Sequence, residues 1–111
     1  MCNYHTWFHN EKSGYVVECA HCNKIQVCFG NLLLSFRSEA FENYRKYVEK
    51  KREAIASIAD RQLKSIVLNS NCEGVSMLLT ETELDGLYQM LEYADTEMKA
   101  AAFIKMFNDP L

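Results

Sequence analysis

Cys2-x-x-His5 and Cys19-x-x-Cys22 are the two pairs in this chain whose residue types and spacing suit chemistry. Thirteen residues separate them, the length of one tight hairpin. Four such donors are the set a tetrahedral zinc ion takes. A hairpin closing between the pairs returns Cys19 and Cys22 to the vicinity of Cys2 and His5. The Cys-x-x-Cys corner reverses the chain, so that its backbone N–H groups face the sulfurs. The expected metal ligands are therefore Cys2, His5, Cys19 and Cys22, with Zn(2+) as the ion. His9 and His21 are substitute fourth ligands, although His21 lies inside the corner and points outward.

Two other readings of the same residues stay open. The thiols can be reduced structural residues without metal. Cys19 and Cys22 can also form a redox pair, as a thiol sensor or oxidoreductase. A dithiol oxidoreductase places its Cys-x-x-Cys at a helix N-terminus, which lowers the thiol pKa. Here the residues after Cys22 read as strand, which argues against that chemistry. A zinc site filled by four protein ligands is structural, because catalysis needs an open position. Cys28, alternating with apolar neighbours, and Cys72, in a loop, read as structural.

Other catalytic patterns are missing from the sequence. The four glycines, at 14, 30, 74 and 86, form no phosphate-binding loop. There is no Gly-x-Ser-x-Gly elbow and no His-Glu-x-x-His. Glu81, Glu83 and Asp85 cluster, but helix capping explains them. The expectation is a domain without enzymatic activity.

The elements that position the cysteines follow from periodicity. Tyr4 to Phe8 and Tyr15 to Glu18 read as strands around the turn Glu11-Lys12-Ser13-Gly14. Ile25, Val27 and Phe29 alternate with polar residues, Gly30-Asn31 is a hairpin turn, and Leu32, Leu34 and Phe36 return on one face. Ser38 is the expected cap of a helix with the stripe Phe41, Tyr44 and Val48, running to about Asp60. Ser65 to Asn69 and Val75 to Leu79 are the next two strands. Thr80 and Glu83 form a capping box before the stripe Leu84, Leu87, Tyr88 and Leu91. That stripe does not align with Phe103, Met106 and Phe107. A separate helix, capped by Asp95 or Thr96, is therefore expected to run to about Phe107.

Leu32, Leu34, Phe36, Phe41, Tyr44 and Val48 match Val75, Met77, Leu79, Leu84, Leu87 and Leu91 at a constant offset of 43. The expected fold is α+β in one domain of 111 residues. An antiparallel sheet combines an N-terminal hairpin (1–30, the candidate zinc knuckle) with two β-β-α units (24–60 and 64–94). A further C-terminal helix covers 95–107. Units of about 40 residues bury too little surface to stand alone, so the two are expected to pack together.

Composition limits the partners. No run approaches the roughly 20 apolar residues of a membrane span. The first residues lack a signal-peptide pattern, so the expected location is the cytoplasm, where thiols stay reduced. The net charge of −3 argues against a general nucleic-acid binder. Residues 37–64 carry eight Lys/Arg against five Asp/Glu, and residues 65–111 carry two against eight. These halves are expected to attract each other within the fold. Arg45-Lys46 and Lys50-Lys51-Arg52, interleaved with Glu49 and Glu53, read as a solvated face with i,i+4 pairs. Tyr4, Trp7 and Phe8 read as cover for the open face of a small sheet. The expected partners are an unknown protein or a second copy of the chain, as in a metal-free dimeric binding module.

Met1-Cys2, Cys19-x-x-Cys22-x-x-Ile25-Gln26, Phe29-Gly30-Asn31, Leu84-x-x-Leu87-x-x-Met90-Leu91 and Ala94-Asp95-Thr96-Glu97-Met98-Lys99 together resemble a small bacterial family of unknown function. Its members are about this long, and the Asp-Thr-Glu-Met run is its most specific piece. The resemblance implies a soluble cytoplasmic protein with N-terminal cysteines as its hallmark, and it implies no activity.

Overall fold

The computed structural model describes residues 3–55 and 62–108. The first four strands form an antiparallel meander in the order β1-β2-β3-β4: β1 Tyr4–Asn10, β2 Gly14–Cys19, β3 Ile25–Phe29 and β4 Leu32–Phe36. Helix α1 spans Ser38–Ala54. A two-stranded antiparallel sheet follows, β5 Ile66–Asn69 and β6 Ser76–Leu79, and then helix α2, Glu81–Asn108. The class is α+β, as the alternating and helical periods imply.

The register shows which face is buried. Val16, Val27 and Leu34 lie side by side, and Ile25 pairs with Phe36. All five are buried beneath the helices. The alternate positions, including Cys28 and Leu33, face the other way. Trp7 is an extra residue in β1, at a bulge between Thr6 and Phe8. Its indole N–H donates to Glu18 Oε1 at 3.0 Å. Gly14 has φ +136°, and a Cβ there would lie 1.8 Å from the Cys28 carbonyl oxygen, so only glycine lets β2 approach β3 at this point.

The echo at offset 43 is structural for five of its six pairs; the sixth, Leu32 with Val75, is not matched, because Val75 lies outside β6 and is exposed. Leu34, Phe36, Phe41, Tyr44 and Val48 are buried, and so are their counterparts Met77, Leu79, Leu84, Leu87 and Leu91. The ladders agree as well: Ile25 pairs with Phe36 as Ile66 pairs with Leu79, and Val27 with Leu34 as Leu68 with Met77. The two hairpins remain separate sheets, however, and do not join in the single sheet expected. One core nevertheless contains residues of both.

Three boundaries differ from expectation. Arg37, in extended conformation, is the N-cap of α1, with no side-chain cap bond. Ser38 is already helical, and the Arg37 carbonyl accepts the Phe41 N–H at 2.8 Å. Helix α1 ends at Ala54 with Ile55 extended; the expected continuation over 56–60 lies outside the described residues. Finally, α2 continues through Ala94–Glu97 without a break. Asp95 is occupied sideways instead of capping: it accepts Lys99 Nζ at 2.9 Å and faces Arg45 Nε at 3.5 Å. The change of stripe marks the point beyond which one continuous helix runs past the buried core.

The Thr80 capping box is formed. Glu83 N–H donates to Thr80 Oγ1 at 3.0 Å, and Thr80 N–H donates to Glu83 Oε1 at 2.8 Å. Two of the N-terminal donors, the Thr80 and Glu83 N–H groups, are thereby satisfied.

Candidate functional site

The Cys-x-x-Cys corner occupies the turn between β2 and β3. Cys19 N–H donates to the Lys24 carbonyl at 2.9 Å, and Asn23 N–H donates to the Cys19 carbonyl at 2.8 Å. Asn23 makes the reversal in left-handed conformation, φ +61°. Cys22 N–H then points at Cys19 Sγ, 3.4 Å away. The corner is tied to the start of β1 by the Ala20 N–H bond to the Asn3 carbonyl, 2.7 Å.

The four expected ligands are distributed unevenly. Cys19, buried, and Cys22, exposed, come together in the corner. Cys2 lies outside the described residues. His5 pairs with Glu18, whereas Tyr4 pairs with Cys19, so alternation turns the imidazole to the opposite face from Cys19. Its ring lies against Trp7, with centroids 4.2 Å apart. Of the substitutes, His21 is exposed within the corner, and His9 pairs with Tyr15 near the far end of β1. Among the described residues, no three His, Cys, Asp or Glu side chains stand close enough to hold a metal ion. A strand, β3, follows the corner, so no helix dipole acts on Cys19 or Cys22.

A second site lies between the helices. Arg45 is 9% exposed and contacts four carboxylates. It bonds Glu42 on its own helix and Glu92 Oε1 on α2 at 2.6 Å, with Asp95 Oδ2 at 3.5 Å and Glu49 Oε2 at 4.0 Å. Lys99 Nζ adds a second cation, 3.4 Å from Glu42. The Arg45 bond holds the Glu42 carboxyl below its ordinary range. Farther along, Arg52 Nε bonds Asp85 at 2.7 Å and its guanidinium lies 4.4 Å from the Tyr88 ring centre. Lys64 Nζ bonds Glu83 at 2.6 Å, which with the Thr80 N–H lowers the Glu83 pKa. Arg45–Glu92, Arg45–Asp95, Arg52–Asp85 and Lys64–Glu83 each join a cation from the basic middle to an anion from the acidic end, the internal attraction the charge pattern implies, while Lys99–Glu42 runs the opposite way. Arg45 was not expected in the interior. The signal for it lies four residues after Phe41 and three before Val48, on the buried stripe itself.

Beyond Asp95, α2 leaves the body of the domain. No residue from Thr96 to Asn108 is buried. Phe103 is 60% exposed, Ile104 58%, Met106 77% and Phe107 75%. The overhang contributes to an elongated shape of 55 × 28 × 26 Å. Its inner face, with Met98, Ala102 and Lys105, looks across an open groove of about 560 Å³ toward Trp7, Glu18 and Phe41.

A family model spans residues 1–108 of this chain, and its description is a family of unknown function (DUF6686). The chain belongs to that family. Membership in DUF6686 assigns no activity. No curated protein and no solved structure matches the chain. Among the described residues, no helix is long and apolar enough to cross a membrane.

Proposed function

We propose that this DUF6686 protein is a non-enzymatic interaction domain whose contact element is the overhanging end of α2. One observation carries this reading: Phe103, Ile104, Met106 and Phe107 are more than half exposed on one short helical segment. Scattered exposed apolar residues are ordinary, but a contiguous apolar patch marks an interaction surface. A photo-crosslinking amino acid in place of Ile104, in cells making the protein from its own gene, tests this. A discrete higher-mass adduct is expected. Its absence, with crosslinker present in folded protein, would contradict the reading.

The N-terminal hairpin has a second role in this proposal, as a scaffold closed by structural zinc. The observation favouring it is the Cys22 N–H directed at Cys19 Sγ. Cys19 and Cys22 would supply two thiolates and Cys2 a third. His5 would have to leave Trp7 to complete the set, and His21 is the competing fourth ligand. The zinc content of untagged protein decides between the metal and metal-free readings. About one zinc per chain is expected, lost in Cys19→Ser/Cys22→Ser. Zinc retained in His5→Ala but lost in His21→Ala would transfer the fourth position to His21. Metal-free, folded protein would remove the site altogether.

A further inference from the structure

We propose that the cleft between α1 and the end of β5 binds an adenine nucleotide, with the base in the cleft and the phosphate on Lys46 and Lys50. This goes beyond the interaction reading above and does not depend on it.

A cavity of about 400 Å³ opens between the N-terminal half of α1 and the chain leaving β5. That falls within the range of about 300–1,000 Å³ that small-molecule sites occupy. Phe36, Tyr44 and Tyr47 form an aromatic side, their rings stepping along at centroid spacings of 5.1 and 5.7 Å. Asn43, Asn69 and Asn71 supply the polar side. Two tyrosines clamp this wall in place. Tyr44 O–H donates to the Asn69 carbonyl at 2.7 Å, and the Tyr47 hydroxyl accepts the Asn69 N–H at 3.0 Å. Asn71 Nδ2 donates to the Ser35 carbonyl at 2.6 Å, which fixes that amide. The cleft is therefore largely formed before a ligand arrives, which lowers the cost of binding.

Hydrogen-bonding capacity is left over at the rim. Tyr47 keeps its own O–H to donate. Asn69 Oδ1 accepts the Ser76 O–H at 3.3 Å, and its Nδ2 has no partner among the described residues. Asn71 keeps Oδ1 as an acceptor. Asn43 is exposed, and its amide has no partner among the described residues. A primary amide offers a donor and an acceptor side by side, the pattern that meets adenine N7 and its N6 amino group. Guanine, with acceptors at both N7 and O6, suits Arg or Lys instead. Among the described residues, every side chain lining the cavity is uncharged. Adenine is therefore the base that fits, and the charge of the ligand must lie outside. Helix α1 supplies the counter-charge. Asn43, Lys46, Tyr47 and Lys50 share one face of it, and Lys50 stands about 10 Å along the axis from Asn43. Both lysines are exposed, and neither pairs with a carboxylate among the described residues. Arg45 and Arg52 of the same basic run are taken up by Glu92 and Asp85. Like charges four residues apart repel, a cost that an anion placed between them removes.

The experiment is a titration of the isotopically labelled full chain with AMP, up to about 5 mM, read by NMR at the side-chain amides of Asn43, Asn69 and Asn71. Saturable shifts are expected, with a Kd of about 10 µM to 1 mM. Adenosine is expected to bind about 3- to 30-fold more weakly, the worth of two exposed ion pairs. Lys46→Gln/Lys50→Gln is expected to abolish that difference. Asn43→Ala is expected to weaken AMP about tenfold. The position is exposed and alanine is the best helix former, so this variant keeps the fold. No shift at the three amides would overturn the inference. Shifts from N-acetylglucosamine but not from AMP would overturn it in favour of a sugar site. GMP bound as tightly as AMP would overturn the assignment of adenine. A short oligoadenylate bound more than about tenfold tighter than AMP would overturn the free nucleotide in favour of a single strand.

Discussion

Between Glu81 and Asp95, α2 buries Leu84, Leu87, Met90, Leu91, Ala94 and Asp95; between Thr96 and Asn108 no residue is fully buried, although Met98 packs partly against the core. The same helix therefore serves two purposes. Its first half has an apolar face matched to the two sheets and to α1, and its polar residues reach Arg45, Arg52 and Lys64. Its second half has an apolar face directed away from all of these. Apolar residues that contribute to folding are expected under the domain. Those on the overhang contribute little to the fold of one chain, which is why they read as a contact surface.

Substitutions can break this contrast, beginning with the first half. Leu87→Ala, at a fully buried position, is expected to cost about 2–5 kcal/mol, read from urea denaturation. Arg45→Met removes the cation among Glu42, Glu92 and Asp95, and is expected to cost about 2–4 kcal/mol by the same measurement. It should also alter the acid limb of the stability profile. Glu42 and Glu83 bind protons less readily folded than unfolded. Their contribution is therefore complete above about pH 5 and is lost as pH falls through and below the carboxylate range. In Arg45→Met the Glu42 part of that loss should shrink to what Lys99 sustains, giving a flatter profile between about pH 5 and pH 3. Thr80→Ala, which removes the cap from α2, is expected to cost about 1 kcal/mol. Phe107→Ser lies at the other extreme, with an expected change below about 0.5 kcal/mol for dilute protein.

Much of the first half was legible in the sequence. The Thr80-x-x-Glu83 box and the Leu84, Leu87, Leu91 stripe are local patterns, and local hydrogen bonds and one-sided burial decide both. The junction was not legible for a physical reason. A stripe that changes phase at Asp95 can mean a new helix or one helix that runs on past the core it packs against. Only the neighbours of Asp95, Arg45 and Lys99, distinguish the two. Arg45 itself sits on an apolar stripe but belongs to a run of basic residues, and composition outweighed position. The two hairpins each showed their own alternation, yet whether β4 and β6 share a sheet depends on contacts that local alternation does not encode. Within the candidate metal corner, the Cys19–Cys22 turn follows from its spacing. The side of the sheet that receives His5 follows from pairing Tyr4 with Cys19, a long-range register that the motif alone does not contain.

The most direct test is the unfolding free energy of Phe103→Gln/Phe107→Lys, compared with wild type, both as purified protein. The two are predicted to agree within about 0.5 kcal/mol, as for surface substitutions. A loss of about 2 kcal/mol or more would contradict the account, because it would place the outer stripe of α2 in the fold of the single chain.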